Sequence, residues 1–448
     1  MTRGPGRDGL RATAERLVRL GRARGADEVE VHIGRGFEFH VDVRMGEVEN
    51  LVEAGSRSVG FRVIKDGRTA SAGSSDLSWP VLERLMTNAV ARAALAHPDP
   101  CAGLPALEPI TADIPGLALF DPEVPRLTSR ARIALALKTE RIALADKRIT
   151  NSHGASFSSH HGEALLANSN GFIGSYAQSY CSLGLGLQAG DTDDLAEDGW
   201  STSRRRFRDL ESPEEVARLA VERTVRQLHP RKIATRNVPV VFEPDMTGWV
   251  LGFLFGCVSG TAVYQRATFL ADRLGETIAA PGVTVIDDGL MPGKPGSRPF
   301  DAEGVPCRRT AVVADGVLKS FLTNVYAGRK LGTASTGNGD GGGVGPNNFY
   351  LAPGTTAPAA ILRSVDEGLL LVRTLGHGLN SVTGDISRGA FGLWIEGGAV
   401  AYPVAEITIA GNLGELLRRI EIVGNDLDFR GAIAGPTIKV AEMTVAGR

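Results

Sequence analysis

The sequence predicts an α+β protein of two domains, a mixed α/β domain over residues 1–230 and a β-rich domain over residues 235–448. Three observations lead there. Segments with helical and strand periods alternate through the first half. A stretch with seven prolines, residues 97–125, interrupts them and cannot be regular structure, so it reads as a linker draped over a surface. The glycines, 56 in all, concentrate in the second half, which favours tight turns and short strands there over long helices.

Taken in order, "GLRATAERLVRLGRARG" spaces Leu10, Ala14, Leu17 and Val18 along one helical face, and Gly25 stops it. "DEVEVHIG" and "FEFHVDVRMG" alternate by two and read as two strands, with His32 and His40 between apolar neighbours. "SVGFRVIKDGRTASAG" folds as two strands about an Asp66-Gly67 turn. Asp76 or Ser78 caps a helix from residue 79 to about 96. Beyond the linker come a helix over 129–145 and strands around "ITNSHGASFSSHHGEALLANSNGF" and "SYCSLGLGLQAG". Ser212 with Glu215 forms a capping box, and Pro213 takes the first helical position. "HPRKIATRNVPVVFEP" marks the second boundary. The opening of "TGWVLGFLFGCVSGTAVYQRATFL" then reads as a buried helix, and further hairpins turn at Asp315-Gly316 and Gly397-Gly398. No repeat at a solenoid period is visible.

Composition excludes several classes. Lys plus Arg (49) nearly balances Asp plus Glu (51), and the net charge of −2 recruits neither nucleic acid nor an acidic membrane. The densest basic run, "SRRRFR" at 203–208, reads as an ordinary solvated face. Cys101, Cys181, Cys257 and Cys307 form no CxxC pair, which argues against a disulfide framework or structural zinc. With no apolar leader and no run of about 18 apolar residues, the expected location is the cytoplasm.

Short motifs point to no chemistry of their own. Gly337, Gly339 and Gly342 match G-x-G-x-x-G, but a helix precedes them and a strand follows, the reverse of a dinucleotide site. The glycines read instead as a pliant backbone wall that lets another chain approach. His160 and His161 are adjacent and point to opposite faces of a strand, a poor metal pair. Asp287-Asp288 before Gly289 reads as a turn. Cys257 reads as a buried, inert thiol.

Longer strings say more. "FDAEGVP", "VLKSFLTNVYAGRKLGTASTGN", "SVTGDISRGAFGLWIEGGAVAYPVAEITIAGNL" and "VGNDLDFR" together resemble the TldD/PmbA family, in particular its PmbA (TldE) branch. So do "DPCAGLP", "LFDP" and "VYQRATFL". The resemblance implies a cytoplasmic subunit that pairs with a TldD-like metallopeptidase subunit. The pair forms a zinc-dependent peptidase acting on extended substrates, unfolded or leader-bearing peptides and a labile antitoxin. In TldD a helix carries H-E-x-x-x-H, whose histidines bind zinc and whose glutamate acts as general base; a cysteine near the C-terminus completes the site.

Laid on this chain, the histidine positions fall at Gly252 and Cys257 and the glutamate at Phe253. After His377 there is neither His nor Cys. The resemblance therefore implies a subunit that binds no zinc itself, the ion belonging to the partner. Its expected contribution is a peptide channel lined by Gly341, Gly342 and Gly343 and by the amides of Asn347 and Asn348, where substrate adds as a β-strand. Arg266 is expected at the partner interface. The competing reading is a non-catalytic peptide-binding or chaperone-like homodimer, and a fully degenerate relic is the bland one. An older association of such proteins with DNA gyrase sits poorly with the near-neutral charge.

Overall fold

The computed structural model describes residues 7–191 and 194–447. The N-terminal part runs α1 (Arg7–Ala23), β1 (Glu28–Arg44), β2 (Glu47–Lys65), β3 (Arg68–Ser74), α2 (Trp79–Ala93). After the proline-rich segment it runs α3 (Ser129–Ala143), β4 (Ile149–Asn168), β5 (Ile173–Ala189), β6 (Ala196–Arg204), α4 (Pro213–Val225). Among the described residues these strands make one antiparallel sheet of order β3-β2-β1-β4-β5-β6. The plan helix, three strands, helix therefore occurs twice. The central β1–β4 ladder, from Glu30↔Asn168 to Val43↔Ala155, relates the halves by a local two-fold. All four helices described here bury one face of the sheet: α1 and α2 against Val29, Val31 and Val63, α3 and α4 against Phe157, Leu183 and Leu187. The other face carries small and polar residues such as Gly34, Gly36, His40, Ser158 and Gly184.

Several expectations change here. The two strands read before residue 44 are a single strand, β1, because "GRG" at 34–36 stays extended and paired on both sides. Those glycines are sites of close approach: a Cβ on Gly36 would meet His160 Cε1 at 2.8 Å. Residues 47–58, which carry no clear strand pattern, are the first half of β2, reached through a Met45-Gly46 turn with φ of 51° and 82°. The Asp66-Gly67 hairpin holds, with φ of 50° and 68°, the mirror-image turn that fits strand twist. The Ser212 cap also holds: its hydroxyl accepts the Glu215 N–H at 3.2 Å. Residues 97–125 are irregular apart from one 3₁₀ turn, Val124–Arg126, but they bury Leu104, Leu117 and Leu119.

The C-terminal part runs β7 (Arg236–Phe242), α5 (Pro244–Val258), α6 (Gly260–Tyr264), β8 (Val285–Asp288), β9 (Arg309–Ala314), β10 (Val317–Leu318), α7 (Val325–Leu331). It continues β11 (Gly339–Asp340), β12 (Gly343–Val344), β13 (Phe349–Leu351), α8 (Pro358–Arg363), β14 (Glu367–Leu375), β15 (Asp385–Glu396), β16 (Ala399–Asn412), α9 (Leu413–Arg418), β17 (Ile420–Val423), β18 (Ile433–Ala434), β19 (Ile438–Ala446). One sheet has the order β10-β9-β8-β13-β18. In the other, β16-β15-β14-β7-β19 closes on itself because β16 also pairs with β19, and β17 hangs on β19. Helix α5 packs into the core between them through Val250, Leu251, Leu254 and Val258. It stops at Ser259, which turns extended while the Gly260 N–H bonds Leu322 O at 2.7 Å. That is the abrupt change from apolar to polar seen in the sequence.

Arg205 corrects the reading of 203–208 as a solvated face. It is 5% exposed, and its guanidinium donates to the carbonyls of Lys294 (2.8 Å), Pro295 (2.6 Å) and Ser297 (2.9 Å). A buried guanidinium holds several carbonyls at once because its donors are fixed in a fork. Nearby, Phe300 lies edge-on to Phe172 (5.1 Å) and Tyr176 (5.3 Å), tying the C-terminal part to β5 and the turn before it.

Candidate functional site

Helix α5 sets the frame. Gly252 is half-buried, and a Cβ there would find nothing within 4 Å. Phe253 is 8% exposed and belongs to the core. Cys257 is fully buried, and burial pushes its thiol up to about 11, a hydrogen bond with Thr268 opposing the shift. A zinc ligand must be a deprotonated thiolate, a neutral imidazole or a carboxylate. Gly252 and Phe253 offer no such atom, and the Cys257 environment disfavours the thiolate. Among the described residues no group of three or more His, Cys, Asp or Glu side chains is placed to hold a metal ion. These residues do not fit the zinc ion that the resemblance implies for the complex. His160 and His161 do fall on opposite faces of β4: His160 is exposed, and His161 packs against the Phe37 ring at 5.4 Å.

Beside α6 lies the glycine tract. It forms a small hairpin, β11–β12, with Gly341 and Gly342 at its tip. Both have positive φ (56° and 106°), and a Cβ on either would meet nothing within 4 Å. Gly343 opens the return strand. The tip is therefore open backbone. Its base is fixed by buried carboxylates that the sequence did not reveal. Asp287, fully buried at the end of β8, accepts from the Asn347 N–H (2.9 Å), Asn347 Nδ2 (2.9 Å) and Asn338 Nδ2 (2.8 Å). Burial raises its pKa, and these donors oppose the rise. Asp301 accepts from the Gly339 N–H at 2.7 Å and from the N–H groups of Glu303 and Val305 at 2.9 Å.

Two expectations are corrected by this network. Asp287-Asp288 is the end of a strand and not a turn; the turn begins at Gly289. Asn347 and Asn348 are fully buried and do not face a channel. Asn347 Nδ2 serves Asp287 and Gly337 O, while its Oδ1 accepts from Arg298 Nε at 3.0 Å. Asn348 Nδ2 donates to Asp288 O and Ser297 Oγ, and its Oδ1 accepts from the Gly296 N–H. A buried amide is kept where all its hydrogen bonds are made, and here the chain itself makes them. The asparagines hold the hairpin up, and only the glycines remain available. Gly337, Gly339 and Gly342 likewise belong to a hairpin with no helix opening after them.

Arg266 lies beyond α6 with φ of 53°, and its guanidinium meets Asp272 at 3.0 Å; both side chains are 76% exposed. An ion pair so open contributes little to stability. The strongest signal for the buried network was the string "FDAEGVP", which contains Asp301 and Glu303 but does not by itself announce burial. Glu303 is 5% exposed, accepts from the Val325 N–H at 2.7 Å, and has its pKa raised to about 7, chiefly by burial.

Three family descriptions match the chain: PmbA/TldA metallopeptidase domain 1 over residues 29–95, the central domain over 122–228 and the C-terminal domain over 235–447. The first two fall on the two halves of the single N-terminal sheet. Metalloprotease PmbA of Escherichia coli O157:H7 is 37% identical over 94% of this chain and 93% of its own length. The Metalloprotease PmbA homolog of Haemophilus influenzae is 35% identical over 98% and 96%. Among solved structures, a putative modulator of a DNA gyrase from Thermotoga maritima superposes with a TM-score of 0.90 at 27% identity, covering 98% of this chain and all of that one. TldE from Thermococcus kodakarensis gives 0.84 at 24%, covering 97% of this chain, a likeness of fold. No helix among the described residues is long and apolar enough to cross a membrane. The chain belongs to the PmbA/TldD metallopeptidase family, in its PmbA (TldE) branch.

Proposed function

We propose that this chain is the non-metal-binding subunit of a TldD/TldE-type heterodimeric zinc peptidase that cleaves unfolded or leader peptides in the cytoplasm. The observation that supports this most is α5: the family fold is kept around it, while Gly252, Phe253 and the buried Cys257 provide no ligand set and no general base. Hydrolysis of a peptide bond at neutral pH needs an activated water, and in this reading the partner supplies the ion. This chain contributes the wall. The β11–β12 tip, with side chains absent at Gly341, Gly342 and Gly343, lets an extended backbone approach closely, and Asp287, Asp301, Asn338 and Asn347 keep that tip in place. Arg266 is kept at the partner interface, where its guanidinium can exchange Asp272 for a carboxylate of the partner.

The test uses the purified chain, alone and mixed with a family member carrying H-E-x-x-x-H from the same genome. Zinc content is measured by mass spectrometry and cleavage with an unstructured fluorogenic peptide. The expected result is no stoichiometric zinc and no cleavage for the lone chain, with zinc-dependent cleavage in the mixture. Stoichiometric zinc together with cleavage by the lone chain refutes the proposal.

A further inference from the structure

The local two-fold of the N-terminal sheet places two hairpin arms in equivalent positions, β1–β2 and β4–β5, and the chain treats them differently. The outer strand of each arm pairs with its small neighbour over one half only. The β5–β6 ladder starts at Cys181↔Arg204, leaving residues 173–180 beyond it; the β2–β3 ladder starts at Val59↔Ser74, leaving residues 47–58. On the β4–β5 arm the uncovered half is sealed within the chain. Phe300 packs on Phe172 and Tyr176, a Cβ on Gly174 would sit 2.7 Å from Phe300 Cε1, and the Ser179 N–H bonds Leu119 O at 3.0 Å. Leu166 and Phe172 are 2% and 5% exposed as a result.

On the β1–β2 arm, every residue from 47 to 58 is exposed. Met45 (59%), Val48 (45%), Leu51 (46%) and Val52 (40%) stand in solvent. The one side-chain contact from elsewhere is Ser129 Oγ donating to Glu53 Oε2 at 2.9 Å. A long strand edge with unpaired backbone groups and apolar side chains is a template for pairing with another chain, and a protein that leaves it bare risks aggregation. A passing peptide would cover it only intermittently.

We propose that the β1–β2 arm, residues 45–58, is covered by the C-terminal part of a second family chain, the metal-binding partner subunit, just as the β4–β5 arm is covered by the C-terminal part of this chain. The proposal rests on the heterodimer reading above and adds the surface. The two-fold is the argument for the occupant, since the matching arm already shows what kind of structure fits. Charge adds to it: Glu47, Glu49 and Glu53 outnumber Arg57 along the strand, so the partner presents basic side chains there.

The experiment is hydrogen exchange on the full chain, alone and with an equimolar family member carrying H-E-x-x-x-H, paired with the double variant Leu51→Lys/Val52→Lys. Both positions are exposed, so the variant's own melting stays unchanged. Leu274→Lys, at an apolar position 54% exposed elsewhere, is the control. The expected result is at least tenfold slower exchange within 48–58 in the complex, and at least tenfold weaker association for the double variant only. A complex that forms without protecting 48–58, or that tolerates the double variant, overturns this surface while leaving the heterodimer standing. Protection of 48–58 by self-association alone names a second copy as the occupant and overturns the choice of partner. If no complex forms at all, the heterodimer reading falls and this inference falls with it.

Discussion

Replacing Glu303 by Gln should change how stability depends on pH. Glu303 is almost wholly buried where the two parts of the chain meet, with Asp301, Arg62 and Glu30 acting on it. Burial is the largest influence and the Asp301 charge adds to it; the Val325 N–H and Arg62 act the other way. The balance lifts the carboxyl from its ordinary 4.5 to about 7. The folded state thus holds the proton more tightly than the unfolded chain does. Its contribution to stability is complete below about pH 4.5 and is lost as pH rises through about 7. At ~1.4 kcal/mol for each factor of ten, the gap between those two values corresponds to about 3 kcal/mol. Gln keeps an oxygen to accept the Val325 N–H and carries no charge at any pH. The variant should therefore gain on the wild type by about 3 kcal/mol between pH 5 and pH 8, most of it before pH 7. Asp287 and Asp301 are raised too, but they are common to both proteins and cancel in the difference. Denaturant unfolding followed by tryptophan fluorescence at half-unit pH steps measures this directly. A difference that stays constant within about 0.5 kcal/mol over that range refutes the account of Glu303 as a buried, proton-holding carboxyl.

Other outcomes follow from the same geometry. Asn347→Ala removes two of the three donors that hold Asp287 and should cost about 2–4 kcal/mol, read as a lower denaturation midpoint; a loss under about 1 kcal/mol would show that the clamp is not needed. In that variant only the Nδ2 donor is lost, so the backbone N–H bond sets the lower bound. Gly174→Ala brings a methyl to 2.7 Å from Phe300 and should destabilise by about 1–3 kcal/mol, whereas Gly341→Ala, with open space around it, should cost only about 1 kcal/mol from its positive φ. Native thiol titration at pH 8 should label Cys101 first, because Cys181, Cys257 and Cys307 are buried and their thiols are pushed up to about 12, 11 and 12. Rapid labelling of Cys257 would contradict the helix packing described for α5.

Local rules were readable wherever one residue decides the backbone. Asp66-Gly67 and Asp315-Gly316 turn with φ of 50°/68° and 48°/78°, as their side chains require. The Ser212-Pro213-Glu215 cap was equally plain. What failed was anything set by a distant neighbour. "GRG" at 34–36 looked like a break because glycine usually is one, yet the flanking strands keep it extended. Asp287 before Asp288-Gly289 looked like a turn because its three donors come from residues some fifty to sixty positions away. Arg205 in a basic run looked solvated because its carbonyl partners lie about ninety positions on. The duplicated sheet plan was invisible because its period exceeds any window in which periodicity can be judged. At the site, the absent ligands were legible letter by letter once the family strings had been aligned, but the role of Asn347 and Asn348 was not: an amide reads alike whether it faces solvent or a buried carboxylate.

The closed run β16-β15-β14-β7-β19 behaves like the staves of a cask. Its first stave in sequence, β7, and its last, β19, stand side by side, so the wall is completed only when the final strand arrives. A stop codon before Ile438 would delete few residues yet strip hydrogen-bonding partners from β7, β16 and β17 together. Damage at the very tail of this polypeptide should therefore be felt throughout its second half, out of proportion to the number of atoms removed.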